Sequence, residues 1–406
     1  MRRLIVERKF SQSALAIAAM LAAVPSFAQS SVTLYGVVDN SILYQSSQTS
    51  LGSTSGGHSV VKLQTAMLQG SGFGMLGVED LGGGTKAIFK LDALFNANTG
   101  AQAYGGAGFN RQSWVGFTNP QYGKITVGRQ YSPYFSLLVP YNPVNYLGGF
   151  VGAHPGDVDA MDTIWRVNSS VAYISPQFAG FTIGGMYAFG GVAGSVNSGS
   201  TWSGAVQYAA GPVGIAAGVL RINNSTAGGG AYGTASTVNS NGEVGISAVT
   251  NGYQTAQAQQ RVAVAAGYTF NSAWDVSATY ANVQYIPGIR SAFTSTATFN
   301  VAGAVLHWHP QSSIDLAASY SYTRATASNG ISDPAQYHQG VLFESYSVSK
   351  NTVLYALQAF QRSSGKTLGT AGAGDFINAT ATIGDGLSPS SSRSQLAASI
   401  GVVHRF

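Results

Sequence analysis

The sequence predicts an all-β fold, a single transmembrane antiparallel β-barrel of about 16 strands. Three observations predict it. Apolar and polar residues alternate at the strand period over long segments, tight turns alternate with long polar loops along the chain, and aromatic residues gather at strand ends.

Near the start, Val32, Leu34, Gly36 and Val38 alternate with Thr33, Tyr35 and Asp39. Further along, Trp274, Val276, Ala278 and Tyr280 alternate with Asp275, Ser277 and Thr279. Ile314, Leu316, Ala318, Tyr320 and Tyr322 do the same with Ser313, Asp315, Ala317, Ser319 and Ser321. A soluble sandwich also alternates. What favours a membrane barrel is the aromatic set Tyr44, Trp114, Trp202, Tyr268, Trp274, Trp308 and Tyr346 at strand ends, the pattern of interfacial girdles. Tight turns are expected at Asn119–Gly123, Ala210–Pro212, Asn271–Ala273 and His309–Gln311, and long loops at Asn223–Gln260, Arg324–Gln336 and Ser363–Arg393. In hydrocarbon an open sheet edge leaves backbone groups unpaired, so such strands must close on themselves. The final residues form one more amphipathic strand, with Ile400, Val402 and Phe406 on the lipid-facing parity, expected to pair with Val32–Asp39.

Residues 1–28 read as an export signal: Arg2, Arg3, Arg8 and Lys9 precede the apolar run Ala14–Val24, and Ser26 and Ala28 frame a small-residue cleavage site. The run is too short to cross a bilayer as a helix, which takes ~20 residues. Residues 29–406 then make one barrel domain, placed by its export signal and aromatic terminus in the outer membrane of a Gram-negative cell. Only 9% of residues are charged, against ~25% in soluble domains. Without cysteine, no disulfide can staple the fold. Of 20 basic and 15 acidic residues, Arg2, Arg3, Arg8, Lys9 and Glu7 leave with the signal, so the remainder is near neutral and gives no argument for nucleic acid.

Several segments, in order, resemble the betaproteobacterial general porins, the Gram-negative outer-membrane porins of the Burkholderia, Bordetella and Neisseria type. They are Ser31–Asp39 (SVTLYGVVD), Gly77–Phe89 (GVEDLGGGTKAIF), Phe109–Gln112 with Gly128–Tyr131, Asn168–Tyr173, Phe178–Phe181 and Ser349–Thr352, with the strand ending at Phe406. The resemblance implies 16-stranded homotrimeric channels for passive diffusion of ions and small hydrophilic solutes, with a third loop folded into the pore. It also implies a second loop, near Asn96–Asn110, reaching a neighbouring subunit, contact with lipid and lipopolysaccharide, and recognition of the Phe406 strand by the barrel-assembly machinery.

The link from Gln130 to Arg166 carries Pro133, Pro140, Pro143 and Pro155 among Tyr, Phe and Leu residues, so it reads as a packed third loop. Asp157, Asp159 and Asp162 fall in it and are expected to line the acidic side of the constriction, although Asp also favours turns and caps. Arg111, Arg129 and Arg166 match family positions lining the basic wall; alternation places Arg111 inward with Ser113 and Val115, opposite Trp114. Lys90 and Asp92 share a parity opposed to Phe89 and Leu91 and are also expected inward, since Lys or Arg facing lipid at mid-depth costs about 2–4 kcal/mol. These arginines could equally pin the third loop by pairing with its carboxylates. Val37, Gly72, Leu76 and Val403 stand where relatives often carry basic residues, which points to weak or cation-leaning selectivity. Glu344 shares the outward parity of Leu342 and Tyr346, unless a bulge shifts the register.

Other chemistries find little support. His307 and His309 share a strand face, but with no cysteine and no carboxylate adjoining they read as interface residues beside Trp308 rather than a metal site. His58, His154 and His338 are isolated, and Gly82–Lys86 reads as a turn rather than a phosphate loop. No Gly-x-Ser-x-Gly elbow occurs. No catalytic residue, cofactor or metal is expected; a barrel lipase or protease would need a nucleophile and a histidine near one rim and fewer strands, and a surface adhesin or receptor would rest on loops more simply read as solvated tips.

Overall fold

A computed structural model describes residues 30–406 apart from 105, 163–164, 226–235 and 239–246. The expected signal at 1–28 lies outside the described residues. The barrel strands are β1 (Ser31–Gln48), β2 (two segments, His58–Thr65 and Gly72–Gly82), β3 (Thr85–Leu94), β4 (Gln112–Asn119), β5 (Gly123–Tyr131), β6 (Arg166–Ile174), β7 (Phe181–Ala188) and β8 (Thr201–Ala210). They continue as β9 (Val213–Asn223), β10 (Ala258–Asn271), β11 (Trp274–Ile286), β12 (Ala297–Gln311), β13 (Ile314–Ala325), β14 (Gln336–Ser347), β15 (Thr352–Ser364) and β16 (Ser394–Arg405). Each pairs antiparallel with the next, and β16 returns to β1, so no edge is left open.

Alternation along each strand separates two surfaces. Val32, Leu34, Ile42, Val61, Val115, Ile183, Val264, Leu306, Tyr320, Leu342 and Ile400 are exposed on the outside, where lipid would cover them. Their neighbours Asp39, Ser41, Gln45, Ser277, Thr279, Ser321, Gln339, Gln361 and Gln395 are buried inside. Near the tight turns, Trp274 and Trp308 stack at 5.2 Å on the outer face, and Tyr268 packs edge-on with Phe270. One aromatic departs from the expected girdle. Trp114 faces the lumen, in register with Lys90 and with Lys124 over its ring at 5.8 Å. Glu344 keeps its outward parity, and its carboxylate accepts a hydrogen bond from Gln358 Nε2 at 3.1 Å. The β12 strand runs on to Gln311, so the turn expected at His309–Gln311 falls at Ser312–Ser313 instead.

Strand β2 breaks for a reason that lies in β1. Residues 66–71 leave the ladder, and Asp39 gathers them back: its Oδ2 accepts from Leu68 N at 2.8 Å and Gln69 N at 2.7 Å. Its Oδ1 accepts from the Tyr355 hydroxyl at 2.6 Å, while its backbone N–H donates to Ser71 Oγ. The lower half of β1, Ser31–Val37, therefore pairs with Val78–Gly72, and the upper half pairs with His58–Thr65.

The last strand closes on β1 as expected, but in a shifted register. The β16 strand pairs Arg405 with Val37 through Ala397 with Gln45, overlapping the predicted Val32–Asp39 only at its upper end. Phe406 extends this pairing by reciprocal backbone bonds with Gly36, at 2.9 and 3.0 Å. Its ring lies over Gly36 on the outer surface, and a Cβ there would stand 2.2 Å from the ring. Because the ring is more than half exposed, Phe406→Ala should cost the finished barrel little. We expect this variant to reach the outer membrane at severalfold lower levels while the assembled fraction conducts normally, as read by surface labelling and single-channel recording. Normal surface levels would remove the assembly role of this residue.

Candidate functional site: a lumen narrowed by folded loops

The third loop runs from Tyr131 to Arg166 and crosses the barrel interior. It opens with a helix, Pro133–Leu138, started by proline at its first position and capped by Ser132 Oγ, which accepts from Phe135 N at 3.3 Å. Ser203 and Gln207 of β8 fix that helix: Ser203 Oγ accepts from Tyr134 N, and Gln207 Nε2 donates to Leu137 O. The loop then touches wall after wall, with Tyr141 over Gly214 and Gly267, Gly148 against Met67 and Leu68, and His154 against Gly303. Gly148 has φ +74, and a Cβ would lie 2.7 Å from Leu68 O, so only glycine allows this approach to the break in β2.

The three loop carboxylates do different things. Asp157 is buried and Oδ1 accepts from Met161 N and Asp162 N, so it closes a turn, while Asp159, also buried, pairs with His154 Nδ1 at 2.6 Å. Only Asp162 borders the open lumen, correcting the expectation that all three line the constriction. Burial, with Asp159 and Asp162 close by, pushes the Asp157 carboxyl well above the ordinary range.

The basic residues also divide. Arg111 borders the lumen, donating from Nε to the Tyr131 hydroxyl at 3.0 Å, with Nη1 3.8 Å from Asp92. Its inward position does not come from alternation, because Val115 faces outward and Trp114 inward; Arg111 precedes the start of β4. Arg166 borders the same space over the rings of Tyr104 and Tyr131. Arg129 is buried, donating to Asn110 O at 2.9 Å and Asn168 Oδ1 at 2.7 Å, so it ties the roots of the second and third loops rather than facing the pore. Lys90 lies 3.5 Å from Asp92 and over the Tyr35 ring. A further arginine, Arg261, is fully buried: its Nε donates to Val158 O at 2.9 Å and its guanidinium lies 4.3 Å from the Trp165 ring centroid. It fastens the third loop from β10.

A second loop also folds inward, which the sequence did not reveal. Residues 380–390 of the last loop descend against the third loop, where Gly156 N donates to Gly384 O at 2.6 Å and Ile383 and Leu387 bury beside Leu147 and Val151. Four inward glutamines on adjacent strands hold both loops. Gln339 Nε2 donates to Val151 O and Ala153 O, and its Oε1 accepts from Gly384 N and Gln361 Nε2. Gln361 Oε1 accepts from Thr382 N, and Gln395 and Gln45 both donate to Ser388 O. This brings Asp385 beside Asp162. Burial first, then Asp162, pushes the Asp385 carboxyl well above its ordinary value of 3.8.

Between the folded loops and the wall lies a cavity of about 990 Å³. Its charged border is Arg111, Arg166 and Arg405 against Asp162, Asp315 and Asp385. Arg405 was legible, since it shares the inward parity of Val403; Asp385, inside a Gly-rich loop, carried no such signal.

A second cluster sits lower on the wall. His307 of β12 faces inward, its Nδ1 2.8 Å from Asp275 Oδ2 of β11 and its Nε2 against Asp315 Oδ1 of β13. His309 Nδ1 lies 3.4 Å from the same Asp315 oxygen. The expectation that no carboxylate adjoins these histidines is therefore wrong: both carboxylates come from neighbouring strands, where sequence distance hides them.

A family model for Gram-negative porins matches residues 14–366. The chain belongs to the Gram-negative porin family. Among curated relatives, an outer membrane porin protein of Bordetella pertussis is 33% identical over 173 residues, 40% of this chain and 43% of that protein. Outer membrane porin protein 32 of Delftia acidovorans is 32% identical over 226 residues, 53% of this chain and 61% of that protein. The chain thus spans about half the length of these two relatives. Among solved structures, an anion-selective porin from Comamonas acidovorans superposes with a TM-score of 0.68 at 23% identity, covering 93% of this chain and all of that one. The trimer form of OmpT from Vibrio cholerae gives 0.63 at 15% identity, covering 93% and 99%. Family and barrel place the protein in the outer membrane.

Proposed function

We propose that this porin is a passive, water-filled channel for ions and small hydrophilic solutes, working as a homotrimer. The observation that carries the reading is a polar, charged lumen inside an apolar shell, narrowed by loops held to the wall by hydrogen bonds. The relatives named above are porins, and one solved neighbour is described as a trimer. Stepwise single-channel conductance of purified protein is the expected result; its absence from folded protein would overturn the reading. Outside the barrel, Arg324 and Arg362 of β13 and β15 project with Tyr320 and His338, a rim suited to the phosphates of lipopolysaccharide.

Selectivity follows from the border charges. Three arginines face three aspartates around this cavity, and Val37, Gly72 and Val403 add no charge on their own stretches of the wall. A lumen balanced in this way should discriminate weakly between ions. The neighbour from Comamonas acidovorans is described as anion-selective, so the two should differ. In a salt gradient across a planar bilayer, a small reversal potential is expected, and a strong chloride preference would sink this proposal.

A further inference from the structure

We propose that His307, His309 and Asp275, with Asp315 beside them, form a lumenal binding site for a divalent transition-metal ion of the Zn²⁺ type. One donor atom from each of Asp275, His307 and His309 lies within 4.8 Å of the others, close enough to converge on a single ion. Three adjacent strands fix the geometry, with Asp275 directly opposite His307 in the ladder. His309 follows two residues later on the same face, its ring 4.0 Å from that of His307.

Two features favour a metal over a mutual structural pairing. Among the described residues, neither carboxylate forms an ion pair with lysine or arginine; their ion-pair contacts are to imidazoles alone. Two anionic groups on a solvent-reachable wall, sharing two histidines and no fixed cation, leave a place for positive charge. The donors also match the chemistry. Neutral imidazole nitrogen with carboxylate oxygen suits Zn²⁺, Ni²⁺ and Cu²⁺, whereas Mg²⁺ and Ca²⁺ take oxygen alone. A carboxylate on the far nitrogen of a ligating histidine sets its tautomer and raises its basicity, and Asp315 against His307 Nε2 can serve in that way.

Access and consequence follow from position. Asp275, His307 and Asp315 border a cavity shared with Tyr141, Asn145 and Tyr146, and Asp315 borders the main lumen as well. The Tyr146 ring of the third loop lies 4.9 Å from that of His307. A bound ion would therefore add fixed positive charge under the third loop and disfavour cation passage.

The test uses untagged full-length protein folded in detergent and stripped with a chelator. Calorimetric titration with ZnCl₂ should show one ion per chain, and Co²⁺ should give the visible absorption of a nitrogen- and oxygen-ligated ion. His307→Ala and Asp275→Asn should each weaken Zn²⁺ binding by about 10–100-fold or more, while His338→Ala leaves it unchanged and MgCl₂ gives no binding heat. His309 is substantially exposed, so His309→Ala serves as the second ligand variant if His307→Ala does not fold. The binding readout is independent of channel activity, so its failure and that of the channel reading are separable. No stoichiometric Zn²⁺ binding by the wild type, or full affinity in the folded ligand variants, would overturn the site.

Discussion

Gln339→Leu should open the pore. Its side chain makes four hydrogen bonds, two into the third loop at Val151 and Ala153 and two to the groups that hold the last loop, Gly384 and Gln361. Leucine keeps roughly the volume and leaves those buried partners without this contact. Each buried polar group so stranded costs about 1–3 kcal/mol. Both loops lose an anchor at once, and the loops rather than the strands absorb the loss, because the β14 ladder is backbone-bonded on both sides. The expected result is a larger unitary conductance with greater open-channel noise, while the barrel stays folded. Replacing residues 382–389 by two glycines should give the same direction without touching the wall, since Ser390 N already donates to Ala381 O at the neck of the loop. Unchanged conductance in both would mean that the last loop does not limit the pore.

The barrel was legible because lipid imposes one rule on every strand. An outward apolar residue at every second position marks β1, β11, β13 and β16 with no tertiary information needed. The third loop was legible for a related reason: its prolines and aromatics announce packing. What escaped depends on position across strands. Gln45, Gln339, Gln361 and Gln395 lie far apart in the chain, and each alone is an ordinary inward polar residue; only the register aligns them into one row. Asp275, His307 and Asp315 form a cluster in the same way. The break in β2 left no signal because Ala66–Ser71 carries no strong turn pair and its cause, Asp39, sits in another strand. The inward reading of Arg111 extended an alternation past the start of β4, where it no longer held.

The packing of the last loop on the third should weaken as pH rises. Asp157 and Asp385 are loop carboxylates whose pKa values are raised in the docked state, chiefly by burial and then by their acidic neighbours, Asp159 and Asp162 respectively. In the undocked loop their pKa values return toward the ordinary 3.8, so between that value and the raised one the docked state holds more protons. Docking is therefore strongest below the ordinary carboxylate range, declines as pH climbs through the raised value, and is flat above it. Protonated Asp385 can hydrogen-bond to Asp162 and its ionised form cannot, which favours contact at low pH. Single-channel traces should show conductance and noise rising from pH 4.5 toward pH 8.5. In Asp385→Asn the amide keeps the size and cannot ionise, so that slope should shrink while the acid-side conductance stays near wild type. His307→Ala changes neither of these carboxylates and should leave most of the slope in place. An Asp385→Asn slope equal to that of the wild type would detach the pH response from this pair of loops.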